Sequence, residues 1–151
     1  MARFLAVCLT AAIAFGTSLP ASAQGQAQAQ AQAVSTADAN AARTVVSAQL
    51  AAFANDDAKS AFSYAAPSIR AMFGTPERFL AMVRAGYPVV HRAVGATFLI
   101  PLRIDADLVQ GVHLTDSAGE LWLATYWLER QPDGKWRIAG CDVQRATGKT
   151  I

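Results

Sequence analysis

At 151 residues, 53% hydrophobic and 16% charged, the chain fits one ordinary globular domain. Its formal net charge of +2 gives neither sign dominance, and no basic stripe interrupts the sequence. There is therefore no electrostatic case for a nucleic-acid partner or an anionic membrane surface.

In chain order, Arg3 opens a short basic start, Phe4 to Phe15 is an apolar run, and Ala21-Ser22-Ala23 supplies the small residues that signal peptidase needs. Residues 1–23 read as a secretory signal peptide. The run is shorter than the ~20 residues that span a bilayer, and no later stretch approaches that length. The expectation is a protein free of the membrane after cleavage, in the periplasm or secreted. Gln24 to Ala33 alternates Gln and Ala, too poor in bulky apolar groups to offset the entropy of ordering. Residues 24–36 read as a linker and 37–151 as a single domain. Cleavage removes Cys8 and leaves Cys141 as the sole cysteine, without an internal disulfide partner. Its expected role is that of a small buried hydrophobe, with an intermolecular bridge or a reactive thiol as alternatives.

From Ala37, the spacing Ala42, Val45, Val46, Gln49, Leu50, Phe53 predicts a long helix with Asp38 or Asn40 near its start as a cap. Asn55-Asp56-Asp57 breaks it, and Asp57 can cap a short helix through Tyr64. Pro67 restarts the chain in a turn or helix ended by Gly74. Thr75-Pro76-Glu77 then combines a hydroxyl cap, proline at the first helical position and an acid in the first turn. That helix carries Phe79, Leu80, Met82 and Val83 and stops at Gly86.

After Pro88 the pattern changes to period two. Strands are predicted at Val89 to Arg92, Ala96 to Ile104, Leu108 to Thr115, Glu120 to Arg130 and Lys135 to Arg145. Helices followed by a meander define an α+β fold, with N-terminal helices packed on a mainly antiparallel sheet. Gln131-Pro132-Asp133-Gly134 and Asp116-Ser117-Ala118-Gly119 both suit a type I turn closed by a left-handed glycine, pairing Gln131 with Lys135 and Asp116 with Glu120. Counting outward places Leu128 opposite Ile138, Tyr126 opposite Gly140, Val112 opposite Ala124 and Leu114 opposite Trp122. One face then holds Leu108, Val112, Leu114, Trp122, Ala124, Tyr126, Leu128, Trp136 and Ile138, with Gln110, Tyr126 and Asp142 as its polar members. A slip of one residue would break this agreement. The other face shows His113, Lys135 and a Glu129–Arg137 ion pair, together with Leu121, Leu123, Trp127, Ala139 and Val143. That much apolar surface predicts a homodimer formed through the outer sheet face.

The order of elements and the Trp136-Arg137-Ile138 strand after a Pro-Asp-Gly turn resemble the nuclear transport factor 2-like superfamily. More closely, Gln49-Leu50, Ala52-Phe53, Asp56-Asp57, Ala61-Phe62-Ser63, Pro67, Phe73-Gly74, Pro76, Trp136-Arg137-Ile138 and Gly140-Cys141 resemble a family of short bacterial proteins catalogued as a domain of unknown function. The superfamily resemblance implies helices folded over a curved sheet into a cone with an interior cavity. It transfers no activity, because members range from enzymes to binding modules. Enzymes similar to ketosteroid isomerase or scytalone dehydratase place a carboxylate, a tyrosine and sometimes histidines inside the cone. Asp142, Tyr126 and Gln110 could supply such a set, with Trp122 in the wall and His91 or Tyr87 at the rim. In the plainer alternative, Asp142 sits in water or caps an amide, while Tyr126 and Gln110 bond each other.

No metal spacing, phosphate loop or nucleophile elbow occurs, and no cofactor is implied. Two readings follow. In one, the protein is a non-catalytic domain whose cavity holds a small hydrophobic ligand or a peptide. In the other, it is a cofactor-free isomerase, dehydratase or hydrolase that uses Asp142 and Tyr126 as acid and base. The low polar content of the expected interior favours the first.

Overall fold

The computed structural model describes residues 33–146. The signal peptide assigned to residues 1–23, and most of the linker, lie outside these residues. The first helix, α1, spans Thr36–Ala54 and starts one residue ahead of the expected Ala37. Ser35 is the N-cap, accepting from the Asp38 N–H at 3.1 Å, so the cap is neither Asp38 nor Asn40. The next three helices begin where capping chemistry placed them. Helix α2 (Ala58–Ser63) is capped by Asp57, α3 (Pro67–Phe73) starts on proline and ends at Gly74, and α4 (Pro76–Gly86) is capped by Thr75. Gly74 adopts φ +74°, the left-handed geometry that lets the chain leave α3 sharply.

Val89 to Arg92 is not a strand. Pro88 sits at the first helical position and Pro88–His91 forms a single turn, α5, in which Val89 and Val90 bury against the core. The adjacent β-branched pair suggested extension there, but fixed proline geometry and burial of both valines favour the turn. The strand expected over Ala96–Ile104 is also divided. It forms β1 (Gly95–Phe98) and β2 (Leu102–Ile104), both antiparallel to β3 (Asp107–Thr115). Phe98 pairs with Val112 but Leu102 with Val109, so the Leu99–Pro101 segment accommodates one extra residue. Proline within it cannot donate to a ladder.

Strands β4 (Leu121–Arg130) and β5 (Trp136–Arg145) complete a curved, open, antiparallel five-stranded sheet in the order β1-β3-β4-β5, with β2 beside β3. The fold is α+β. Both turns close as expected: the Gln131 N–H donates to the Lys135 carbonyl (2.9 Å), the Asp116 N–H donates to the Glu120 carbonyl (3.1 Å), and Gly119 and Gly134 sit at φ +80° and +79°. Leu108, Val112, Leu114, Ala124, Leu128, Trp136 and Ile138 are buried beneath the helices. At the edge of β5, the Ala66 N–H donates to the Ile138 carbonyl (2.8 Å), and the Ile138 N–H donates to the Tyr64 carbonyl (2.9 Å). The link between α2 and α3 thereby covers that stretch of edge.

The register departs from the count at one point. Leu128 pairs with Ile138, but Trp127 pairs with Gly140 and Tyr126 with Cys141, leaving Ala139 without a partner on β4. This β-bulge inverts the facing of everything beyond it. Cys141 and Val143 turn toward the helices, and Asp142, opposite Thr125, turns out. Glu129 does face Arg137, yet no ion pair forms. Glu129 accepts from Gln131 at 2.8 Å, and the Arg137 guanidinium donates to the Trp136 carbonyl.

Asp38 fastens α1 to the sheet. Its carboxylate accepts from Arg103 on β2 (2.7 Å) and from the Trp136 indole on β5 (3.1 Å). Burial alone would raise this carboxyl, but bonds from Trp136 and Ser35 and the charges of Arg103 and Arg130 more than offset it, holding it below its ordinary value. A depressed folded-state pKa contributes stability at pH above the unfolded value of 3.8, and that contribution fades as pH falls through the folded value. Asp38→Asn should therefore lower stability at neutral pH by about 1–2 kcal/mol. Urea titrations of both proteins should show the gap closing in acid.

Candidate functional site

Helices α1, α3, α4 and α5 and the centre of the sheet line a half-open cavity of about 270 Å³. Phe53 enters from α1, Ile69, Met72 and Phe73 from α3, Phe79, Met82 and Val83 from α4, and Val90 from α5. Tyr126, Ile138, Gly140 and Cys141 form the sheet side. The walls follow from the amphipathic spacing of α1 and α4, which sends Phe53, Phe79 and Val83 inward. Phe79 meets Phe53, Phe62 and Phe73 at ring-centroid distances of 5.7, 5.6 and 5.4 Å. Met72, Met82 and Tyr87 reach the surface, so the mouth lies where α3 and α4 approach β5. Helix α3 buries no residue of its own.

Only Gln49, Tyr87, Tyr126 and Cys141 bring polar side-chain atoms to this wall, and no charged residue lines it. Gln49 is committed: its amide donates to the Ala61 carbonyl at 3.1 Å. The Tyr126 hydroxyl is fully buried and has no hydrogen-bond partner. Burial first, then the neighbouring Cys141 thiol, pushes its pKa well above the usual phenol value. The Cys141 thiol is the polar group set against the phenol, and each shifts the pKa of the other. Burial likewise pushes the thiol up to about 12, so Cys141 is held protonated rather than as a reactive thiolate.

The residues expected to meet in the cavity are dispersed. Tyr126 and Tyr87 line it. Gln110 is opposite Tyr126 in register but does not bond it; its amide donates instead to the Leu99 and Gly111 carbonyls, both at 2.8 Å. Asp142 is exposed on the outer face and accepts from Gln144 at 2.7 Å. The carboxylate and phenol of the acid-base set thus lie on opposite sides of the sheet. Trp122, Tyr87 and His91 border a second, larger recess of about 630 Å³ with Arg92, Asp116 and Val143. There the Trp122 indole donates to Asp116 (2.9 Å), and His91 Nε2 lies 2.6 Å from Asp56.

Asp56 also binds Arg84 (2.6 Å) and Arg92 (2.8 Å). Its bonds from Arg84 and His91 hold its carboxyl far below the usual range. His91 therefore ties the α1–α2 loop to α4 and α5 and is not directed into the main cavity. Among the described residues, no group of three or more His, Cys, Asp or Glu side chains is placed to hold a metal ion, and no helix is long and apolar enough to cross a membrane.

The cavity residues missed in the sequence include Ile69, Met72, Phe73, Val90 and Cys141. Gly140 was the available signal for the last of them, since glycine inside a strand often marks a bulge. A family profile described as Domain of unknown function (DUF4864) matches residues 35–151. The chain belongs to that family. The match begins at Ser35, the residue that caps α1, and spans every helix and strand described above. No curated protein and no solved structure matches the chain.

Proposed function

We propose that this member of the family is a non-catalytic binding domain for a small, mainly apolar ligand, and that it works in the periplasm or outside the cell. The observation that carries the reading is the pocket itself, an aromatic and aliphatic recess between helices and sheet that no charged residue lines. Its volume suits a small molecule better than a peptide. Export rests on the Phe4 to Phe15 run and the Ala21-Ser22-Ala23 site. The helices over a curved sheet also favour a nuclear transport factor 2-like cone. Mass spectrometry of small molecules retained by protein purified from its native compartment tests the reading. Repeated recovery of the same apolar compound supports it, and repeated recovery of none refutes it.

The acid-base alternative lacks its carboxylate, because Asp142 faces outward. Asp142→Asn is accordingly expected to change stability by no more than about 0.5 kcal/mol and to leave ligand retention unaltered, as denaturant titration and the same mass analysis would show.

The outer face supports a proposal of self-association. Leu102, Val109 and Trp127 lie in one row across it, with Leu102 62% and Trp127 38% exposed and Ile104 beside them. Val143 no longer contributes, having turned inside. A dimer mass in sedimentation at micromolar concentration is expected, and Trp127→Lys should return the monomer.

A further inference from the structure

We propose that the mouth of this recess binds Cu(I) through the Cys141 thiolate and the Met72 and Met82 thioethers. The proposal goes beyond the binding-domain reading and does not depend on it. The chain contains three methionines and two cysteines. Met1 and Cys8 belong to residues 1–23, and the other three, carried by α3, α4 and β5, all line the same recess. Thiolate and thioether sulfur are soft ligands that select Cu(I) over harder ions. Met72 is 72% exposed and Met82 half-buried, which opens a path from solvent, and the flexible methionine stem lets each thioether turn toward the thiol.

Charge selects a monovalent ion. Binding exchanges the thiol proton for the metal: the S–H bond breaks, an S–Cu bond forms and the proton leaves to water, so thiolate and ion cancel. Among the described residues no Asp, Glu or His lines the recess. A divalent ion on a single thiolate would therefore keep an uncompensated positive charge in apolar surroundings. The same exchange gives Tyr126 an acceptor. Its hydroxyl is buried against Cys141 and has no partner while the sulfur is a thiol, itself a weak acceptor. A metal-bound thiolate accepts more strongly, and the phenol then positions the ligand sulfur as an outer-shell donor.

Anaerobic titration with Cu(I) against a chromophoric Cu(I) chelator tests the site, using the full chain with Cys8→Ser in every sample so that Cys141 is the sole thiol. The parent should bind one ion, show a sulfur-to-copper charge-transfer band in the near ultraviolet and release about one proton per ion. Cys141→Ser should abolish binding. Met72→Leu and Met82→Leu, which conserve volume, should each weaken it by more than the roughly tenfold that loss of an outer-shell partner costs. Tyr126→Phe should weaken it about tenfold and move the band to longer wavelength, without lowering the melting temperature of the metal-free protein. Absence of Cu(I) binding, parent affinity in Cys141→Ser or in both methionine variants, or Zn(II) bound as tightly as Cu(I) would overturn the site. Unchanged affinity and band position in Tyr126→Phe would overturn the role given to the phenol. None of these outcomes alters the test of the apolar ligand.

Discussion

Phe79→Ala should lower the stability of the fold by about 3–5 kcal/mol, the largest loss expected from any single truncation in the cavity wall. The ring is buried on α4 and touches Phe53 of α1, Phe62 of α2 and Phe73 of α3, so one side chain joins four helices. Truncation removes the transfer free energy of the ring, three tilted or edge-on aromatic contacts of about 0.5–1.5 kcal/mol each, and the support for α3. These contributions overlap and do not add in full. Against a total of about 5–15 kcal/mol for a domain of this size, the loss removes a substantial share. It should appear as a lower urea midpoint by far-ultraviolet circular dichroism. A midpoint equal to that of the parent would mean that the aromatic cluster does not hold the helices together.

Features governed by neighbouring residues were legible in the sequence. Asp57, Thr75-Pro76 and Gly74 fix their helix ends through contacts within one turn, and Gly119 and Gly134 fix the hairpin registers because left-handed backbone admits little else. The inner face of β3 and β4 followed from those registers. The site did not, because a single unpaired residue decides it. Counting by twos from Ile138 assigns Gly140 and Asp142 to the inner face, whereas the bulge at Ala139 turns Cys141 and Val143 inward. The apolar order Ile138, Cys141, Val143 carries that shift, with an interval of three before the interval of two returns. Contacts between distant residues gave no local sign: Asp38 reaches Trp136, and Asp56 reaches Arg84, His91 and Arg92. His91 was available as a rim residue until the loop at Asp56, itself at φ +56°, brought a carboxylate to it.

Tyr126→Phe is expected to stabilise the ligand-free protein by about 1–2 kcal/mol, the reverse of the usual effect of altering a buried core residue. The ring is 1% exposed and packs in the centre of β4, where phenylalanine keeps every apolar contact. Only the hydroxyl is lost. Because it forms no hydrogen bond when folded but is fully hydrated when unfolded, its removal relieves a desolvation penalty without breaking a bond. A single oxygen atom leaves little new void. For a domain of about 110 residues, each kcal/mol shifts Tm by roughly 4 °C or more. Protein stripped of small molecules by unfolding and refolding should therefore melt several degrees higher as Tyr126→Phe. A lower Tm for the stripped variant would show that the hydroxyl has a partner in the folded protein. The sign of this one substitution thus decides whether burying the hydroxyl costs the fold stability or the Cys141 thiol beside it offsets that cost.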